Sequence, residues 1–219
     1  MKKLSALIFD CDGVMFDSKQ ANINYYNYLL RHFNLPPLGE EDFEFVHSHT
    51  SDECVAHLFR KTLHVDKALA YKAEISYTPF IREMIIEPGL MDLLISLKHF
   101  CALAVATNRS DTITEVLKTF KLDACFDIVV SSLDVQNPKP HPEPIIKILD
   151  FFGIKPEEAL YIGDSDVDSQ VCRASGVSMI AYRNRRIEAP FYADSILDVK
   201  GILKAFDMIM PKTLAHRGI

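Results

Sequence analysis

Residues 8–18 read IFDCDGVMFDS. An apolar run ends abruptly in two aspartates, Asp10 and Asp12, with Asp17 close behind. The run from residue 4 to residue 9 is short, continuous and bounded by Asp and Gly. That pattern belongs to a strand buried on both faces, as in a parallel sheet. Carboxylates this close repel one another and are costly to desolvate. Groups from elsewhere in the chain must therefore converge on them.

After Ser18 the pattern changes. Residues 19–85 carry helical periodicity and almost no strand signal. ANINYYNYLLRHFN places Ile23, Tyr26, Leu30 and Phe33 on one face, and EEDFEFV reads as a short acidic helix. SDECVAHLFRKTL follows with Ser51 as the N-cap, and DKALAYKAEISYTPFIREMI reads as one longer helix bent at Pro79. From Glu87 onward strands and helices alternate. CALAVAT, DIVVSS, ALYIGDS and VSMIAY are strands. Pro88 to Lys98, TITEVLKTF with a capping box at Thr112 and Glu115, PIIKILDFFG closed by Gly153, and VDSQVCRASG ended by Gly176 are helices. A last short strand and helix come from ADSILD and VKGILKAF. Strand–helix alternation implies right-handed βαβ units, hence an α/β fold with a Rossmann-like parallel sheet. The expected organisation is a core of residues 1–17 and 86–219, interrupted by a helical domain of residues 18–85. That insertion departs where Asp10 and Asp12 sit, at the carboxyl end of the first strand, where open α/β sheets bind ligands.

Composition narrows the function. The 219-residue chain is 48% hydrophobic with a net charge of −6 and scattered Lys and Arg, which speaks against nucleic acid as partner. Its five cysteines lack CxxC spacing and read as reduced thiols of a cytoplasmic protein. No apolar stretch approaches the ~20 residues that span a bilayer. Oligomeric state is open between monomer and small homo-oligomer.

Four features fall at predicted strand ends: Asp10-Cys11-Asp12-Gly13, Thr107-Asn108, Lys139 in QNPKPHPEP, and Asp164 with Asp168 in YIGDSDVD. In a parallel sheet these ends open on one edge. Asp10, Asp12 and Asp164 offer hard oxygens suited to Mg²⁺. Thr107 and neighbouring N–H groups suit phosphate oxygens, and Lys139 offsets negative charge on nucleophile and substrate. Singly, each feature is also a turn residue, a solvated loop charge or a helix cap. Their order around a helical insertion makes the combination chemical.

DCDGV, TN, the lysine after the third strand and GDSDVD, in that order, resemble the haloacid dehalogenase superfamily in its phosphatase branch. FDSK, EPGLMDLLISLK, FDIVVSSLDVQNPKPHPEP and YIGDSDVDSQVCRASG are similar to the phosphoglycolate-phosphatase and β-phosphoglucomutase-like group. The resemblance implies an HAD-like core with a helical cap over 18–85. It implies Asp10 as nucleophile, Asp12 as general acid and base, and Thr107 and Asn108 on the phosphoryl group. Lys139 would steady charge, Asp10, Asp12 (through its carbonyl) and Asp164 would hold Mg²⁺, and Asp168 would support Lys139 or the metal from behind. The substrate expected is a small phosphorylated metabolite. His47 and His49, in VHSHTSD between helix candidates, are either substrate contacts or a polar turn. Arg183, Arg185 and Arg186, beyond a core strand, either reach an anionic substrate or form a solvated loop, the second reading being preferred. No Lys or Arg lies between Arg31 and Arg60, which disfavours sugar-phosphate mutases and phosphonate-cleaving relatives of this group. Hydrolysis is therefore the first reading, with a phosphomutase or a non-catalytic regulatory protein as alternatives. A 2-haloacid dehalogenase needs no acid at Asp12, and a receiver domain places its phosphoacceptor after the third strand.

Overall fold

The structure is a computed structural model that describes residues 2–211 and 214. Six parallel strands form its central sheet: β2 (Ala6–Phe9), β5 (Ala102–Ala106), β6 (Ile128–Val130), β7 (Ala159–Gly163), β8 (Ser178–Tyr182) and β9 (Phe191–Ala193). Their order is β6-β5-β2-β7-β8-β9, so β2 lies between strands whose connections run to opposite sides. This reversal of strand order makes a crevice at the carboxyl ends of β2, β5 and β7. The α/β class read from the sequence holds.

The first strand is divided. Ser5 breaks the run, and β1 (Lys2–Leu4) pairs separately with β10 (Phe206–Met208). Along β2 and β5, side chains alternate between two cores. Leu7, Phe9, Leu103 and Val105 join one that includes α6 (Leu90–Leu97), α7 (Thr112–Thr119) and α10 (Ile196–Leu203). Ala6, Ile8, Ala102, Ala104 and Ala106 join the other with α8 (Glu143–Phe152) and α9 (Asp166–Ser175). Truncating a fully buried residue such as Phe9 would cost about 3–5 kcal/mol.

The helical segment comprises α1 (Lys19–His32), α2 (Glu40–Ser48), α3 (Ser51–Leu58), α4 (Val65–Glu74) and α5 (Thr78–Ile81). It is entered through β3 (Phe16–Asp17) and left through β4 (Ile85–Ile86), which pair antiparallel. Several local expectations are corrected. The buried stripe of α1 is Ala21, Asn22, Tyr25, Tyr26, Leu29 and Leu30, with Ile23 off it. Thr50, not Ser51, caps α3, in a capping box with Glu53. The long helix at Pro79 is two helices, because Pro79 starts α5 rather than bending α4. The capping box at Thr112 and Glu115 does not form. Thr112 Oγ1 accepts from Arg109 Nη1, and Glu115 accepts from Thr78. Among the described residues no helix is long and apolar enough to cross a membrane.

Candidate active site

The carboxyl ends of β2, β5 and β7, with the segment that follows β6, bring Asp10, Asp12, Thr107, Asn108, Lys139 and Asp164 together, with Asp168 one helical turn behind. Gly13 turns the chain after β2 with φ 77°, and a Cβ there would lie 1.9 Å from Asp164 Oδ2. Only glycine lets the two loops close this tightly. Asp10, Asp164 and Asp168 each present an oxygen within 4.8 Å of the others.

Lys139 holds this cluster. Its ammonium is 2.9 Å from Asp10 Oδ1 and 2.7 Å from Asp168 Oδ1, and it donates to Tyr161 Oη at 2.8 Å. The side chain is 2% exposed, so the charge stays only because carboxylates surround it. Burial alone would lower its pKa, but Asp10 and Asp168 push it up. Asp168 is saturated. Oδ1 accepts from Lys139 and Tyr161, and Oδ2 from the Asp164 and Ser165 N–H groups and Ser165 Oγ. Burial would raise its pKa, yet Lys139 and these donors hold it below the usual carboxylate range. With its lone pairs spent, Asp168 buttresses the cluster rather than offering a free ligand oxygen. Asp10 accepts from the Cys11 N–H at 2.7 Å and from Lys139, both on Oδ1. Burial and the Asp168 charge push its carboxyl well up.

Asp12 is held by a different cation. Arg109 Nε donates to Oδ2 and Nη2 to Oδ1, each at 2.7 Å. Burial would raise the Asp12 pKa, but this two-pronged guanidinium contact holds it down. Arg109 also reaches Tyr77 Oη at 3.3 Å and lies 4.9 Å from the centre of the Tyr77 ring. Tyr77 in turn donates to Asn22 Oδ1 at 2.6 Å. Neither Arg109 nor Tyr161 stands out in the sequence. Arg109 reads as a loop charge and Tyr161 as one more apolar strand residue. The one available signal was the position of Arg109 directly after Thr107-Asn108.

Asn108 spends both amide hydrogens on carbonyls, Lys139 O at 2.9 Å and Ser48 O at 3.0 Å. The second bond ties the sheet edge to the end of α2. Thr107 is buried, and its Oγ1 accepts from the Arg109 N–H. Among the described residues the N–H groups of Asp12 and Asn108 have no hydrogen-bond partner, so both are available to an anion.

His47 and Ser48 belong to the last turn of α2 rather than to a linker. His47 Nε2 lies 3.4 Å from Asp164 Oδ2. Burial would lower its pKa, but Asp164 and the other acids push it up to about 9. His49 stacks on Phe45 with ring centres 3.8 Å apart, and its Nδ1 lies 3.0 Å from Phe45 O. Both histidines line a chamber of about 400 Å³ between the sheet edge and the helical segment. Tyr25, Tyr26, Ile75 and Tyr77 supply its apolar wall. Arg183 is half-exposed, in keeping with a solvated loop, and has a fixed partner. It grips Glu87 with two hydrogen bonds of 2.6 and 2.8 Å, beside β4, while the next residue, Asn184, donates to Asp164 O. Arg185 pairs with Asp194 at the surface.

The donor set fits a hard divalent cation. Asp10 and Asp164 offer carboxylate oxygens within 4.8 Å of each other and of Asp168, and Gly13 has no Cβ to crowd Asp164. Asp12's carboxylate lies outside the cluster, on Arg109.

Comparison with known proteins agrees with this geometry. Residues 7–182 match the haloacid dehalogenase-like hydrolase family. The chain belongs to that family of hydrolases. A HAD-superfamily hydrolase of subfamily IA from Geobacter sulfurreducens is 38% identical, with a TM-score of 0.75 over 91% of this chain and 96% of that one. Pyrophosphatase PpaX of Bacillus mycoides is 25% identical, covering 90% of this chain and 93% of its own length. A haloacid dehalogenase-like hydrolase from Streptococcus pneumoniae shares the fold with a TM-score of 0.80 at 21% identity, covering 93% of this chain and all of that one.

Proposed function

We propose that the protein is a Mg²⁺-dependent phosphatase of small phosphorylated metabolites, working through a phosphoryl group carried on Asp10. The observation that carries this reading is the ammonium of Lys139, 2.9 Å from Asp10 and 2.7 Å from Asp168 inside an otherwise acidic cluster. A carboxylate attacking a phosphate is anion against anion, and it proceeds only where positive charge is fixed beside it. The similarity to pyrophosphatases and HAD hydrolases supports the same class.

In this reading Asp10 attacks phosphorus through Oδ2, because Oδ1 is committed to Cys11 N–H and Lys139. The P–O bond to the leaving group breaks, and Asp12, which leaves the Arg109 fork and takes up a proton as substrate binds, gives that oxygen the proton. Asp12 then takes a proton from water, which attacks the aspartyl-phosphate and frees phosphate and Asp10. Thr107 and the N–H groups of Asp12 and Asn108 bind the phosphoryl oxygens. Asp10, Asp164 and the Asp12 carbonyl would hold Mg²⁺, which would supply Lewis-acid charge neutralisation when bound. Residues 18–85 act as a cap that excludes water, fastened by the Asn108–Ser48 bond. Hydrolysis is preferred to phosphoryl return because α2 and α3 bring no Lys or Arg for a second phosphate.

The test is hydrolysis of p-nitrophenyl phosphate after chelator treatment, with and without added Mg²⁺. Turnover should require the ion, and Asp10→Asn should lower it by at least about 10³-fold. Equal metal-dependent rates in wild type and Asp10→Asn would remove Asp10 as nucleophile.

A further inference from the structure

We propose that Arg109 selects substrates whose leaving group carries its own negative charge. The proposal rests on the phosphatase reading above and names the substrate class for that site.

The two buried cations of the sheet edge are divided between the two aspartates. Lys139 serves Asp10, and Arg109 serves Asp12. Asp12 is the acid that meets the leaving oxygen, so Arg109 stands on the leaving-group side of the phosphorus. It is also the cation that touches the helical segment, through the hydroxyl and ring of Tyr77. Its side chain is 7% exposed, yet it lines the chamber. A guanidinium has five N–H donors in a fixed fork. Nε and Nη2 are spent on Asp12, and Nη2 is shared with Tyr77. Nη1 has Thr112 Oγ1 alone, at the outer limit of 3.5 Å. At least one donor on Nη1 is therefore uncommitted among the described residues.

The other cations of the chamber are occupied. Lys139 is enclosed by Asp10, Asp168 and Tyr161, Lys72 pairs with Asp52 at 2.6 Å, and His47 pairs with Asp164. The segment from α2 to α3 has no lysine or arginine to contribute. Among these groups Arg109 is the one bonded to Asp12, the acid that meets the leaving oxygen. A carboxylate or second phosphate on the leaving group can take Nη1. It can also draw the fork away from Asp12, both of whose oxygens the guanidinium now occupies. One residue then couples recognition of the charge to release of the group that serves the leaving oxygen.

The experiment compares phosphoglycolate with ethyl phosphate, which differ by a carboxylate in place of a methyl group. Wild-type kcat/KM should favour phosphoglycolate. Arg109→Gln should lower the phosphoglycolate-to-ethyl-phosphate ratio roughly 10- to 100-fold, the worth of a charge-assisted hydrogen bond. The loss should fall mainly in KM for the charged substrate, and Arg109→Lys should restore part of it. Should Arg109→Gln not fold, judged by its thermal transition, Arg109→Lys against wild type carries the same comparison. Pyrophosphate, whose leaving group is a phosphate, should follow phosphoglycolate. A wild-type ratio at or below one overturns the proposal, as does a ratio unchanged in the variants, the signature of a merely structural arginine. Neither result touches the phosphatase reading, which stands or falls on p-nitrophenyl phosphate and Asp10→Asn.

Discussion

The two ends of the chamber are built differently. At the sheet edge Asp10, Asp168, Lys139 and Tyr161 form a closed network on the ends of buried strands, with Asp168 accepting five hydrogen bonds. At the helical end Tyr25, Tyr26 and Tyr77 pack edge to face, and His49 stacks on Phe45. In the first arrangement, removing a charged member leaves another charge buried and unpaired. The second is made of contacts that other side chains of similar bulk can supply. Charge is therefore fixed at the sheet edge, while the apolar wall above it can vary.

The contrast can be broken by substitution. Lys139→Met should have the largest effect, because it strands Asp10 and Asp168 together. About 3–5 kcal/mol of stability should go in urea unfolding, and turnover should vanish with it. A variant with wild-type stability would show that the cluster is not held by this charge. Tyr161→Phe removes a hydroxyl that meets Lys139, Asp168 and Ala106 O. It should cost about 1–3 kcal/mol by the same assay. A change no larger than that of an exposed tyrosine would mean Lys139 and Asp168 suffice alone.

The smallest effect lies in the helical segment. Asp42 on α2 bonds His57 at 2.6 Å and Arg60 at 3.1 Å. Burial would raise its pKa, but these partners hold it below the usual range. Stability from a depressed carboxyl is present above its unfolded value near 3.9 and lost as pH falls through the folded one. Acidification below about pH 4 should therefore speed hydrogen exchange in α2 before the sheet strands respond. The contribution should stay under about 1 kcal/mol, since the pair is partly solvated. Simultaneous loosening of sheet and helices would erase the distinction between the two ends.

What the sequence disclosed follows the same division. Strand ends were legible because apolar runs stop at Asp10, Thr107 and Asp164, and a parallel sheet must put such ends on one edge. Asp168 and Lys139 were legible by position after the third and fourth strands of the core. Arg109 was not, since a basic residue in a polar loop has no local mark of a partner 97 positions away. Tyr161 hid because its ring obeys the strand pattern while only its hydroxyl is chemical. The Thr112–Glu115 box was locally sound and failed because Arg109 and Thr78 claim those side chains. Tertiary partners overrode a local preference worth about 1 kcal/mol. Arg183 reads as surface charge because Glu87, which it grips, lies 96 residues earlier.

The paired β3 and β4 carry a further consequence. Phe16 faces Ile86 and Asp17 faces Ile85, so the chain leaves the sheet domain and returns to it at one point. The segment between behaves like a parenthesis in a sentence. The register of the core strands is set by their own pairing. For protein engineering this makes the Phe16–Ile86 junction a natural splice site. Grafting a different helical insert there would replace the walls of the chamber while leaving Asp10, Lys139 and Asp164 where the sheet holds them.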